Sequence, residues 1–142
     1  MVGEGYSFEE LDIGLAEEIA RKVTEFDVIA FAAVSGDKNP IHLDEAYAST
    51  TRFGTRIAHG MLSGSYLSAV LGTRLPGPGA VYMSQTLYFR APVKLGDTVR
   101  ARVEVIDLLP EKSRAKFMTT CAVDETIVLD GEALMFVPRA DA

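Results

Sequence analysis

The chain has 142 residues, a formal net charge of −6, and a composition that is 48% hydrophobic and 24% charged. That is about one domain in size, apolar enough to exclude disorder and long enough to bury roughly two thirds of its unfolded surface without a disulfide or metal. The acidic balance argues against nucleic-acid binding, which rests on clustered Lys and Arg, but not against an anionic small ligand met by a local basic patch.

Residues 1–18 are mixed and acidic, with a short strand expected near Phe8–Leu11. Ile19–Val23 alternates weakly and reads as a second strand. Thr24 followed by Asp27 resembles a capping box, with Asp where Glu or Gln is usual. Phe26, Ile29, Ala30, Ala33 and Val34 then recur at helical spacing, which predicts a helix from Glu25 to Ser35 ended by Gly36. Asp37–Leu43 reads as a loop, because Asn39-Pro40 pushes the chain toward extended geometry. Asp44 can cap a short helix to about Thr50.

From His59 to Gly72 the segment is apolar or small on nearly every side, the pattern of a helix buried all round. Leu75-Pro76-Gly77-Pro78-Gly79 is a loop. Four strands of about ten residues follow, over Val81–Ala91, Thr98–Leu109, Arg114–Val123 and Ile127–Val137. Val99, Ala101, Val103 and Val105 alternate with Arg100, Arg102 and Glu104, the period of a strand with one buried face. Cys121, the only cysteine, reads as a small buried hydrophobe on the third of these strands. Helices first and an antiparallel meander afterwards make an α+β plan, with a buried helix against a curved sheet, as a single domain over 1–142. With no charged apolar leader and no long apolar span, the expectation is a cytoplasmic protein that does not enter the membrane.

Two clusters could carry chemistry, and each holds one of the two histidines. The first is Ser35-Gly36-Asp37-Lys38-Asn39-Pro40-Ile41-His42. A carboxylate and an imidazole turned onto one water can take a proton from it and return one elsewhere; the plainer reading is a surface loop with an incidental histidine. The second is Ala58-His59-Gly60-Met61, at the start of the long helix. Free N–H groups there can hold a developing negative oxygen, and Gly60 admits a ligand close to the backbone; the plainer reading is that His59 and Gly60 only begin the helix. Ser63, Ser65 and Ser68 lack a G-x-S-x-G elbow, and Ser63 and Ser65 read as small residues for close helix packing. Two distant histidines and one cysteine, without H-x-E or C-x-x-C, make a metal site unexpected.

The stretch Phe31-Ala32-Ala33-Val34-Ser35-Gly36-Asp37-Lys38-Asn39-Pro40-Ile41-His42, with Ala48 six residues on, resembles the signature of the MaoC-like (R)-specific enoyl-CoA hydratases. Ala58-His59-Gly60-Met61 with Leu71-Gly72, then Phe89-Arg90-Ala91-Pro92-Val93 and Gly96-Asp97, fit the same family, so the likeness runs from about Val23 to Val137. It implies a hot dog fold, a long central helix wrapped by a curved antiparallel sheet. It also implies a homodimer whose sheets join edge to edge, with active sites near the interface.

By residue matching, the resemblance makes Asp37 and His42 the catalytic pair and Asn39 a loop-shaping residue. Gly60 becomes the backbone donor to the thioester carbonyl, Ser68 a small residue near the acyl pocket, and Leu71 and Met135 part of that pocket's wall. The bulk of Leu71 and Met135 then leans toward short or medium acyl chains. The implied reaction is hydro-lyase chemistry: trans-2-enoyl-CoA plus water gives (R)-3-hydroxyacyl-CoA. Coenzyme A is part of the substrate, and no metal or redox cofactor is needed. Polyhydroxyalkanoate supply and side branches of fatty acid oxidation are roles that family fills. An anionic carrier calls for a basic patch, expected from Arg56, Arg90 and Lys94. Three alternatives stand beside this: a dehydratase of 3-hydroxyacyl-carrier-protein, an acyl-CoA thioesterase on the same fold, and a non-catalytic acyl-CoA binding module.

Overall fold

A computed structural model describes residues 2–141. A 3-10 turn at Phe8–Glu10 leads into β1 (Ala16–Lys22), α1 (Glu25–Ser35), two single-turn helices α2 (Pro40–Leu43) and α3 (Glu45–Ala48), and the long helix α4 (Gly60–Thr73). The remainder is β2 (Val81–Gln85), β3 (Tyr88–Phe89), β4 (Thr98–Leu109), β5 (Arg114–Val123) and β6 (Thr126–Phe136). The strands form one antiparallel sheet in the order β1-β4-β5-β6-β2, with β3 also on β6. The expected α+β plan therefore holds.

Alternation builds the core. Val99, Ala101, Val103 and Val105 of β4 and Ala115, Phe117 and Cys121 of β5 point inward and are fully buried. The α4 helix lies across this face, chiefly on β4, through Leu67, Val70 and Leu71. Complete burial of each large side chain contributes roughly 1.5–3 kcal/mol. Cys121 is buried as expected, and that burial raises its thiol pKa to about 12. No helix among the described residues is long and apolar enough to cross a membrane.

Several local expectations are corrected. Phe8–Glu10 is a 3-10 turn, because Ser7 and Glu10 cap it reciprocally and leave no strand partner. The next strand spans Ala16–Lys22, its register set by pairing with Glu104 through Thr98. Expected strand 81–91 is split into β2 and β3 at Thr86. There the Thr86 carbonyl sits over Gly131, so close that a Cβ on residue 131 would overlap it. Thr86 also accepts the Glu132 N–H through Oγ1 at 2.9 Å, which holds the kink.

Two helical faces also differ from their sequence pattern. The capping box of Thr24 and Asp27 and the end at Gly36 place α1 as expected. However, Val28 and Ala32 are the residues it buries, while Phe26, Ile29 and Val34 are 76%, 49% and 84% exposed. Periodicity identified the helix but not the side that meets the core. The α4 helix is not buried all round: Met61, Ser65, Ser68 and Gly72 form one exposed stripe opposite the sheet. The strand edge beside it exposes Tyr82, Met83, Tyr88 and Phe89.

Candidate active site

Chain geometry between α1 and α4 brings the two motif clusters together. Ser35 Oγ donates to the Phe31 carbonyl at 2.6 Å and accepts the Asp37 N–H at 3.1 Å, which turns the chain out of α1. Asp37 Oδ1 accepts the Asn39 N–H at 3.2 Å, and Asn39 Oδ1 accepts the Ile41 N–H at 3.1 Å. Asn39 thus caps α2, and Pro40 takes the first helical position, where its missing N–H is no loss. The segment expected as loop through Leu43 is therefore a loop only to Asn39, and His42 sits on a helical turn. Asn39 shapes the loop and does not line the cavity.

His42 is anchored from its far side. Its Nδ1 lies 2.7 Å from the Ile57 carbonyl oxygen. A carbonyl only accepts, so Nδ1 carries the proton, and in the neutral ring Nε2 keeps a lone pair. Burial pushes the His42 pKa below its ordinary value; the Ile57 carbonyl opposes this, His59 adds to it, and the Asp37 carboxylate opposes it. Nε2 faces Asp37 Oδ2 at 3.9 Å. Neither atom has a proton for the other, and the gap is too long for a direct hydrogen bond. One water could donate to both, about 2.8 Å from each.

His59 is packed behind this pair and is 2% exposed. Its ring stacks on His42 with centroids 3.8 Å apart and planes 26° apart. The Phe31 ring packs against it at 4.9 Å, tilted by 54°. Its Nε2 donates to the Asp37 backbone carbonyl at 2.9 Å. The sequence assigns the His59 side chain no role of its own beyond opening α4; its one signal is that it is one of just two histidines. Ligand atoms of Asp37, His42 and His59 lie within 4.8 Å of one another. However, one nitrogen of each ring is already bonded to a carbonyl, and rings stacked 3.8 Å apart keep their remaining lone pairs in two nearly parallel planes, which disfavours convergence on one ion.

Gly60 opens α4, and the His59 side chain does not cap it. Its N–H has no partner within the helix, which leaves a positive edge. A Cβ on residue 60 would come 2.7 Å from the Phe89 ring, so glycine lets that ring lie against the helix start. A cavity of about 750 Å³ spans these groups. Phe31, Phe53, Ile57, Met61, Phe89 and Leu129 supply apolar wall, with Asp37, His42 and His59 as the polar cluster.

The other expected site residues lie elsewhere. Ser68 is on the exposed stripe of α4, while Leu71 and Met135 are 0% and 2% exposed in the core. None of the three lines the cavity of the single chain. For Ser68 and Leu71 the reason is distance along the helix: the cavity is at the N-terminus of α4, and eight and eleven further residues carry the axis about 12 and 16 Å away; Met135 is on β6, opposite Tyr82 and Ala115.

The expected basic patch is also revised. Arg56 is held inside, donating to the His42 carbonyl and to Glu25 at 2.7 Å each. Lys94 is exposed but off the cavity. Arg90 does line it, paired with Asp130 at 3.1 Å. Arg52, which nothing in the sequence marked, is exposed at the cavity rim over the Phe53 ring, with no ion pair among the described residues.

Comparisons with known proteins bear on this geometry. A family model described as "MaoC like domain" matches residues 9–128. The chain is 56% identical over 134 residues to a 3-hydroxybutyryl-CoA dehydratase of Methylorubrum extorquens, covering 94% of this chain and 85% of the relative. It is 53% identical over 131 residues to an (R)-specific enoyl-CoA hydratase of Rhodospirillum rubrum, covering 92% and 91%. Among solved structures, an unliganded R-hydratase from Pseudomonas aeruginosa superposes with a TM-score of 0.91 at 48% identity, covering 95% of this chain and 87% of that one. An (R)-hydratase from A. caviae, involved in PHA biosynthesis, gives 0.90 at 40% identity, covering 92% and 99%.

Proposed function

Since this chain belongs to the MaoC-like domain family and has its hot dog fold, we propose that it is a hydro-lyase adding water to trans-2-enoyl-CoA to give (R)-3-hydroxyacyl-CoA. The observation that carries this reading is the 3.9 Å gap between two proton acceptors, Asp37 Oδ2 and His42 Nε2, at the head of α4. Water held there presents its oxygen to C3 of a bound enoyl thioester. The Gly60 N–H takes the thioester carbonyl oxygen and stabilises the enolate that forms as the C2–C3 π electrons move toward the carbonyl. A proton leaves the water to Asp37 or His42. With His42 neutral and Asp37 a carboxylate, neither holds a spare proton beforehand. The proton taken from water is therefore the one returned to C2, from the same side. One water is consumed, no electron is transferred and no metal is needed.

The carrier reading rests on Arg52 and Arg90, cations at the rim of a cavity in an acidic protein. They suit the phosphates of coenzyme A. The exposed α4 stripe and the Tyr82–Phe89 edge suit a second copy, with the two sheets joined edge to edge as a homodimer. A cytoplasmic location completes the reading.

The test is loss of the enoyl-thioester absorbance of crotonyl-CoA, followed by chiral analysis of the product. Formation of (R)-3-hydroxybutyryl-CoA supports the proposal. If crotonyl-CoA and longer enoyl-CoAs are all inert while a carrier-protein thioester reacts, the carrier assignment is wrong. Free thiol release from acyl-CoA would instead point to a thioesterase.

A further inference from the structure

We infer that His59 is a positioning residue for the Asp37/His42 pair: its stacked ring fixes the plane of the His42 imidazole while its Nε2–H holds the Asp37 backbone. The inference rests on the hydratase reading for its kinetic part and on geometry alone for its structural part. Three contacts converge on this one side chain. Its face meets His42 with ring centroids 3.8 Å apart, the tilted Phe31 ring packs against it at 4.9 Å, and its edge donates to the Asp37 carbonyl at 2.9 Å. The Ile57 carbonyl alone fixes one atom of the His42 ring and would let the ring rock about that bond. A second ring stacked on it, with planes 26° apart, restricts that freedom. Since the same side chain also tethers Asp37, the two halves of the 3.9 Å gap are referenced to one body.

A packing role alone does not account for an imidazole at this position. Nδ1 of His59 is buried without a hydrogen-bond partner among the described residues, and an unpartnered buried acceptor costs stability. A phenyl ring would fill the space and avoid that cost, but could not hold Asp37. The choice of imidazole follows from needing a flat face and an N–H at once.

Two variants separate these features. His59→Phe keeps the flat face and loses the donor; His59→Gln keeps an N–H and loses the face. Each should lower kcat about 10- to 100-fold, as misplacement of reacting groups does, with KM changed by no more than about 2-fold. Variants that melt as the unaltered protein does yet keep kcat within about 3-fold would overturn the inference. So would a loss carried wholly by KM.

A measurement on the unaltered protein covers a failure to fold. With only two histidines, ¹⁵N imidazole spectra assign readily, His42→Gln identifying one of them. His59 should be the Nε2–H form and His42 the Nδ1–H form; Nδ1–H on His59 removes the donor and the inference with it. If the unaltered protein turns over no enoyl thioester, the hydratase reading fails. The His42 signals still decide positioning: they should shift or broaden in His59→Phe, and unchanged signals would refute it.

Discussion

Nε2 of His42 and Oδ2 of Asp37 face each other across 3.9 Å as two acceptors with no proton between them. On the proposed hydratase reading, that gap is where the pair would hold a water. It also sets what substitution should do. Asp37→Asn or His42→Gln replaces an acceptor that must take up a proton by an amide that cannot. Each should lower kcat about 100- to 10,000-fold while the melting temperature stays close to the original. Near-full turnover of crotonyl-CoA by a folded variant would refute the assignment.

The pH dependence follows from the burial of His42, which holds its pKa below the usual 6.5. Turnover needs the neutral ring, so the acidic limb of the kcat profile should fall at a pH below 6.5, and activity should persist where an exposed histidine is already charged. Stability changes in the same direction. The unfolded chain binds the proton more readily than the native one, so stability is complete above 6.5 and is lost as pH falls toward the lowered value. Thermal melts at stepped pH should show this slope reduced in His42→Gln; an equal slope in both proteins would assign it to other groups.

Gly60 is constrained by space. An added methyl would meet the Phe89 ring at 2.7 Å, so Gly60→Ala must displace that ring. Phe89 is 54% exposed and can swing toward solvent, so the cost should fall below the roughly 1–3 kcal/mol of overpacking in a closed core. Denaturant midpoints should show the loss, and Gly60→Ala combined with Phe89→Leu should recover much of it. No recovery would place the strain in the helix backbone.

Arg52 and Lys94 should behave differently although both are exposed cations. Arg52 is at the cavity rim and Lys94 is off it. Arg52→Glu should raise KM for an acyl-CoA several-fold and flatten its dependence on salt, because exposed charges act through a field that ions screen. Lys94→Glu should leave KM unchanged. Equal effects from the two would mean that overall charge, not a contact, guides the substrate.

Local signals determined much of this protein. Thr24 and Asp27 began α1, Gly36 ended it, and the strict alternation of Val99, Ala101, Val103 and Val105 set β4. These features depend on neighbours a few residues apart, which the chain itself supplies. The turn and cap at Asp37, Asn39 and Pro40 are likewise local, because their bonds run between positions two residues apart, whereas spacing alone left the role of Asp37 and His42 open and the family resemblance singled them out.

Tertiary structure decided the rest. Periodicity placed Phe26, Ile29 and Val34 on a helix but could not say that Val28 and Ala32 face the core. Nothing local announces that Arg56 is tied to Glu25 and the His42 carbonyl while Arg52 stays at the cavity rim. His59 stacks on His42, seventeen positions away, only because α4 begins where α2 ends in space. A contact between residues so far apart depends on how whole elements are packed, and that is settled by the common core, not by either segment.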